Sequence, residues 1–111
     1  MNIKKQVIVL SSLLLFSAHA ISECSGIACA DVKVLNMQVD IDGTVWIQTT
    51  GDETKLNCTP NSGVYLKLNG NTSGGKNIYS GLLAYKMAEK NLVFRIVENT
   101  NPCELSYIVT K

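Results

Sequence analysis

The chain has 111 residues, ten Lys and Arg against nine Asp and Glu, a formal charge of +1, and 46% hydrophobic residues. That length holds one small domain and a leader rather than two domains. Nothing in this balance supplies the basic excess that a phosphate backbone demands or the run of like charge that a lipid surface would need, so neither is an expected partner.

Residues 1–20 read as a secretory signal peptide. Lys4 and Lys5 form a basic start, Val7 to Phe16 an apolar run, and Ala18-His19-Ala20 an A-x-A cleavage site. The apolar run is shorter than the roughly 20 residues needed to cross a bilayer, so membrane insertion is not expected. Cleavage near Ala20 leaves 91 residues with eight basic and nine acidic side chains, near −1. It also removes His19, the only histidine. Ile21-Ser22-Glu23 before Cys24 departs from the small-residue lipobox, so a periplasmic or secreted bacterial product without a lipid anchor is expected.

All four cysteines (Cys24, Cys29, Cys58, Cys103) fall in the exported part. An even count in a small exported domain reads as disulfides, and four cysteines allow three connectivities. Cys24–Cys29 with Cys58–Cys103 is the favoured one, because the first two are near neighbours in a segment containing Ser, Gly and Ala. A zinc site is disfavoured, since the chain has no C-x-x-C pair and no histidine after cleavage. Residues 21–31 are therefore read as an N-terminal segment with a local disulfide, and 32–111 as the folded domain.

Val32, Val34, Met37, Val39 and Ile41 give the first strand, with a phase slip at Leu35-Asn36 that predicts a β-bulge. Asp42-Gly43 predicts a hairpin turn, because Gly accepts the positive φ such turns need. Val45 and Ile47, alternating with Thr44, Trp46 and Gln48, return as the second strand. A Gly-, Asn-, Thr- and Pro-containing loop from Thr50 to Gly63 precedes the third, where Val64, Leu66 and Leu68 alternate with Tyr65, Lys67 and Asn69. From Ile78 to Glu89 the apolar residues spread as on a helix, with Asn77 the expected N-cap and Asn91 the expected stop. Gly81 costs that helix about 1 kcal/mol relative to Ala. Leu92, Phe94 and Ile96 then alternate with Val93, Arg95 and Val97. That strand is apolar on both faces, as expected where a helix covers one side. Asn99–Pro102 is a turn, and Leu105 to Val109 is the last strand.

The order β-β-β-α-β-β is that of the OB-fold, a five-stranded, partly open barrel. Ile78-Tyr79-Ser80-Gly81-Leu82-Leu83-Ala84-Tyr85-Lys86-Met87, followed by Leu92-Val93-Phe94-Arg95-Ile96, resembles a helix-then-strand segment of small exported bacterial OB-fold proteins. These include the B subunits of subtilase-cytotoxin-like and pertussis-like pentameric toxins. The resemblance implies a glycan-binding, ring-forming subunit: a homopentamer serving an exported catalytic subunit. No sugar-contacting motif carries across residue by residue.

The chemistry available after cleavage is narrow. Without histidine there is no Ser-His-Asp or Cys-His arrangement, and disulfide-bonded cysteines are not nucleophiles. Asp40, Asp42, Asp52, Glu53, Glu89, Glu98 and Glu104 leave a two-carboxylate glycosidase formally open, but the acids lie mostly in turns. Asp40-x-Asp42-Gly43 matches the start of a calcium loop whose remaining ligands are missing. No enzyme, metal or cofactor is expected. Alternation places Trp46 and Gln48 on the outer face with Tyr65, Lys67 and Asn69 beside them, a set that suits a glycan or a protein. A shifted phase would instead make Trp46 core. Lys86, inside the wide apolar arc of the helix, either snorkels or marks a subunit contact. The expectation is an exported, non-catalytic binding module, with a monomeric periplasmic interaction, inhibitor or envelope accessory protein as the alternative.

Overall fold

The computed structural model describes residues 23–111, so the expected leader and His19 lie outside the described residues. The described residues are mainly β, with one α-helix and a short 3-10 helix at Glu53–Lys55. Its strands are β1 (Glu23–Ser25), β2 (Ala28–Val32), β3 (Val34–Val39), β4 (Thr44–Thr49), β5 (Leu66–Asn69), β6 (Leu92–Val97) and β7 (Glu104–Thr110). Helix α1 (Ser73–Ala88) stands between β5 and β6.

All seven strands join one sheet in the order β1-β2-β6-β7-β5-β4-β3, with β5–β7 the parallel pair. Only Lys33 separates β2 from β3, yet β2 pairs with β6 and β3 with β4, near opposite ends of that order. A sheet whose two ends are consecutive in the chain has to curl back on itself. The result is a curled half-barrel.

The sequence predicts five strands, and the described residues form seven. The first predicted strand begins earlier and breaks at Lys33 into β2 and β3, with Asp31 at φ 53 in a register shift between Cys29 and Val32. The second slip, between Val34 and Asn36, lies where the sequence places a bulge. Residues 23–25 form β1, a hairpin partner of β2 turned at Gly26, with Cys24 opposite Cys29. Ser, Gly and Ala there have low strand propensity, and pairing with β6 overrides it. Ile41 is not part of the strand. It sits fully exposed in the turn Asp40–Gly43, which the Gly43 N–H closes onto the Asp40 carbonyl at 3.0 Å.

The helix begins at Ser73 and not near Ile78. Thr72 caps it, its hydroxyl accepting from the Gly75 N–H at 2.9 Å, so Asn77 lies inside the helix. It ends at Glu89, which takes the left-handed conformation (φ 54) expected of Asn91. Leu82 is its fully buried side chain, while Ile78, Tyr79 and Tyr85 pack against the core from the side. A Cβ added at Gly81 would stand 3.1 Å from the Ile108 side chain. The missing side chain lets α1 approach β7.

The core fills the concave side of the sheet. Val45 and Ile47 from β4, Leu66 and Leu68 from β5, Phe94 and Ile96 from β6 and Leu105 from β7 alternate inward and are buried. Burying side chains of this size contributes about 1.5–3 kcal/mol each. Because α1 covers only this inner side, Val97 and Val109 on the outer face stay exposed. The sequence reading expects the outer apolar residues of β6 where a helix covers one side of the sheet; in the structure those outer residues are only half-buried at Val93 and exposed at Val97.

Two disulfides complete the fold, Cys24–Cys29 and Cys58–Cys103. The second joins the loops that enter β5 and β7. There Thr59 N–H donates to Thr100 O, Cys103 N–H to Thr59 O, and Lys67 N–H to Cys103 O. Its loop spans 45 residues, worth about 3–4 kcal/mol in the loop-entropy model. Two disulfides belong to an oxidising, extracytoplasmic environment. Among the described residues, no helix is long and apolar enough to cross a membrane.

Candidate functional site

β4 alternates strictly: Val45, Ile47 and Thr49 are buried, while Thr44, Trp46 and Gln48 occupy the opposite, outer face. Trp46 is therefore half-buried on the outside and is not core. Register sets Gln38 of β3 on one side of Trp46 and Lys67 of β5 on the other, and sets Thr44 against Asn69. Lys67 is in turn registered with Glu104 of β7.

The indole is anchored. Its Nε1–H donates to Asp40 Oδ2 at 3.0 Å, and Gln38 Nε2 donates to Asp40 Oδ1 at 2.8 Å. One carboxylate in the hairpin turn thus fixes the edge of the ring and a neighbouring amide. Asp40 serves the tryptophan and the Gln38 amide here. Gln48 Oε1 accepts from Asn36 Nδ2 at 2.8 Å, extending the polar row along the strands.

Tyr65 departs from the expectation. β5 starts at Leu66, and Tyr65 lies before it in a bridge to Asn61 whose N–H donates to the Tyr65 carbonyl. The structure brings Trp46, Lys67 and Asn69 together on adjoining positions of β4 and β5. Gln48 is on the same face of β4, and Tyr65 belongs to the loop ahead of it.

A cleft of about 580 Å³ opens beside this row. β5 and β7 meet in the single register pair Lys67–Glu104 and then part. Lys67, Asn69, Glu104 and Ser106 line the gap from the two strands, with Leu68 and Leu105 among the apolar lining. Asp42, Asn71 and Thr72 contribute from the hairpin turn and the helix entry.

Close packing of backbone builds these walls. At Gly43 (φ 92) an added Cβ would stand 2.2 Å from Asn71 Oδ1, and at Gly75 it would stand 1.8 Å from the Asn69 carbonyl. Only glycine lets the turn, the end of β5 and the first turn of α1 converge this tightly. Asn71 Nδ2 donates to Asp42 O at 2.7 Å, and Asn71 N–H donates to Asn69 Oδ1 at 2.9 Å.

Asp42 is held below the usual carboxylate range, first by the Thr44 N–H and then by the Thr44 hydroxyl, with Lys67 adding to the effect. Asp52 is lowered in the same way by the hydroxyl and N–H of Thr54. Both shifts favour the ionised form, the reverse of what a glycosidase general acid needs. Other acids in that reading have structural partners. Glu53 is buried and accepts from the Thr49 N–H at 2.6 Å and the Thr49 hydroxyl at 2.8 Å. Glu98 accepts from Asn57 at 3.0 Å, and Glu89 ends the helix.

The sequence reading offers Asp40 as a glycosidase or calcium-loop carboxylate and not as the anchor of Trp46, and it misses Asn71 and the cleft. Asp40 and Asn71 sit in turns where Asx residues are common for backbone reasons alone, so their type carried no signal of this role. Comparison with protein-family models, with curated proteins and with solved structures found no match for this chain.

Proposed function

We propose that this chain is an exported bacterial binding module of the OB-fold type, periplasmic or secreted, that takes a saccharide on the outer face of β4 and β5. The barrel reading rests on strand order. With β2 and β3 counted as one bent strand and β1 set aside, the pairings form a five-stranded closed path with the helix between its third and fourth strands. Strands two and three of that scheme are β4 and β5, the face on which OB-folds take oligosaccharides and oligonucleotides. The near-neutral charge of the chain favours the former.

One observation carries the saccharide reading: an outward tryptophan whose ring is fixed by Asp40 and flanked by amide and ammonium groups. A rigid aromatic face stacks on the C–H side of a sugar, while Gln38, Lys67 and Asn69 meet its hydroxyls. Pre-positioning the ring lowers the entropy lost on binding. Trp46 is the only tryptophan, so intrinsic fluorescence reads this site alone. Glycans that bind should perturb Trp46 emission, and Trp46→Ala should abolish array binding while leaving the thermal midpoint nearly unchanged. Array binding that survives Trp46→Ala would overturn the reading.

A second reading, assembly into a ring serving an exported catalytic subunit, is favoured by uncovered apolar side chains on two elements that pack together. Leu83 and Met87, four residues apart on α1, and Leu35 and Val39 on β3 are exposed, Met87 by 84%. Light scattering of the exported chain should give a multiple of the subunit mass. A mass of one subunit would sink the ring and leave the monomeric interaction protein.

A further inference from the structure

The cleft between β5 and β7 has a charge pattern that the saccharide reading does not by itself specify. Two carboxylates, Asp42 and Glu104, and one ammonium, Lys67, line it. The N-terminus of α1 also faces it, through Thr72, Gly74 and Gly75. A helix N-terminus carries about half a positive charge, so it does not offset the excess carboxylate. The net local charge stays negative, near −0.5 by this count. An anionic ligand entering the cleft meets net repulsion from the excess carboxylate.

The remaining lining is uncharged and mixed in hydrogen-bonding sense. Asn69 accepts through Oδ1 from the Asn71 N–H, which turns its Nδ2 donor to other use. Asn71 donates through Nδ2 to the Asp42 carbonyl, which leaves its Oδ1 as the acceptor. Ser106, on β7 where the register with β6 shifts, adds a hydroxyl from the far wall. Donor and acceptor amides side by side, with carboxylates as acceptors, match hydroxyl groups, which both donate and accept. Ile78, half-buried on α1, gives the gap an apolar component against which the C–H edge of a ring can lie. At about 580 Å³ the gap falls within the usual range of small-molecule sites, about 300–1,000 Å³.

We propose that this cleft seats an uncharged saccharide unit, so that the module selects neutral glycans over the same glycans ending in an acidic sugar. The proposal rests on the saccharide reading of the β4–β5 face and adds its specificity. Lys67 joins the two places: it is registered with Trp46 on one side and with Glu104 on the other. A ligand stacked on the indole therefore reaches the cleft with its next unit.

The test is an array carrying each glycan with and without a terminal sialic acid, read with the purified exported chain. Neutral forms should bind at least about tenfold more tightly than their sialylated partners, a difference near 1.4 kcal/mol. Glu104→Gln should narrow that gap by reducing the negative charge of the wall. In the unmutated chain, NMR titration with the best neutral glycan should shift the side-chain amides of Asn69 and Asn71 together with the Trp46 indole. Sialylated forms binding equally or better, or shifts at Trp46 with none at Asn69 and Asn71, would overturn the cleft proposal while the saccharide reading stands. Absence of any glycan binding would remove the saccharide reading itself, and the cleft assignment with it.

Discussion

β5 and β7 are treated in opposite ways at their two ends. Where they begin, Cys58–Cys103 and the Lys67 N–H to Cys103 bond tie their approaches together. Past Lys67–Glu104 they part, and the space is lined by side chains instead of being zipped by backbone bonds. Parallel pairs need long crossovers and are slightly weaker per residue than antiparallel ones. A pair that short holds its place because one end is covalently fixed, which leaves the other end free to remain apart. The stapled end supplies stability and the parted end supplies a site.

The largest test of this contrast is to cut the staple. The double variant Cys58→Ser and Cys103→Ser should lose about 3–4 kcal/mol, read as a lower urea midpoint. It should also lose glycan response at Trp46 under conditions where the fold survives. Cutting Cys24–Cys29, whose loop is only five residues apart in sequence, should cost less. Equal losses from the two would break the argument that the β5–β7 end depends on its own bond.

A smaller and sharper test uses neighbouring glycines at the parted end. Gly75→Ala drives a Cβ into the Asn69 carbonyl and should cost about 1–3 kcal/mol, as overpacking does. Gly74→Ala meets nothing within 4 Å and should be neutral or stabilising by less than about 1 kcal/mol. A lowered denaturant midpoint at Gly75 with none at Gly74, one residue apart, would locate the close approach at Gly75. Two similar values would refute it.

These glycines also show where sequence reading stops. Alternation in β4 was enough to turn Val45 and Ile47 inward and Trp46 outward, because half-buried strands have a period of two. The same kind of reasoning moved the helix start to Ile78, because Asn-Thr-Ser-Gly-Gly has the composition of a turn. Thr72 is a good cap, and Gly75 is there for its contact with β5, a tertiary reason that local propensity does not express. β2 was hidden for a related cause: its strand character comes from β6, more than sixty residues away in sequence (Cys29 opposite Phe94). The cleft exists only once β5 and β7 are neighbours. Its residues are scattered over two turns, three strands and the start of α1, and no spacing rule connects them.

The reach of Lys86 across to β3 has a consequence for how the chain behaves in a crowd. Its ammonium donates to the Leu35 carbonyl at 3.1 Å, at the bulged residue that has no register partner on β4. An edge strand offers a row of vacant backbone groups onto which another chain can graft itself and begin a fibril. Here the row is interrupted twice, by the kink of the bulge and by a charged tether occupying the carbonyl it exposes. The lysine within the apolar arc of the helix thereby leaves one fewer vacant carbonyl on β3 for such grafting.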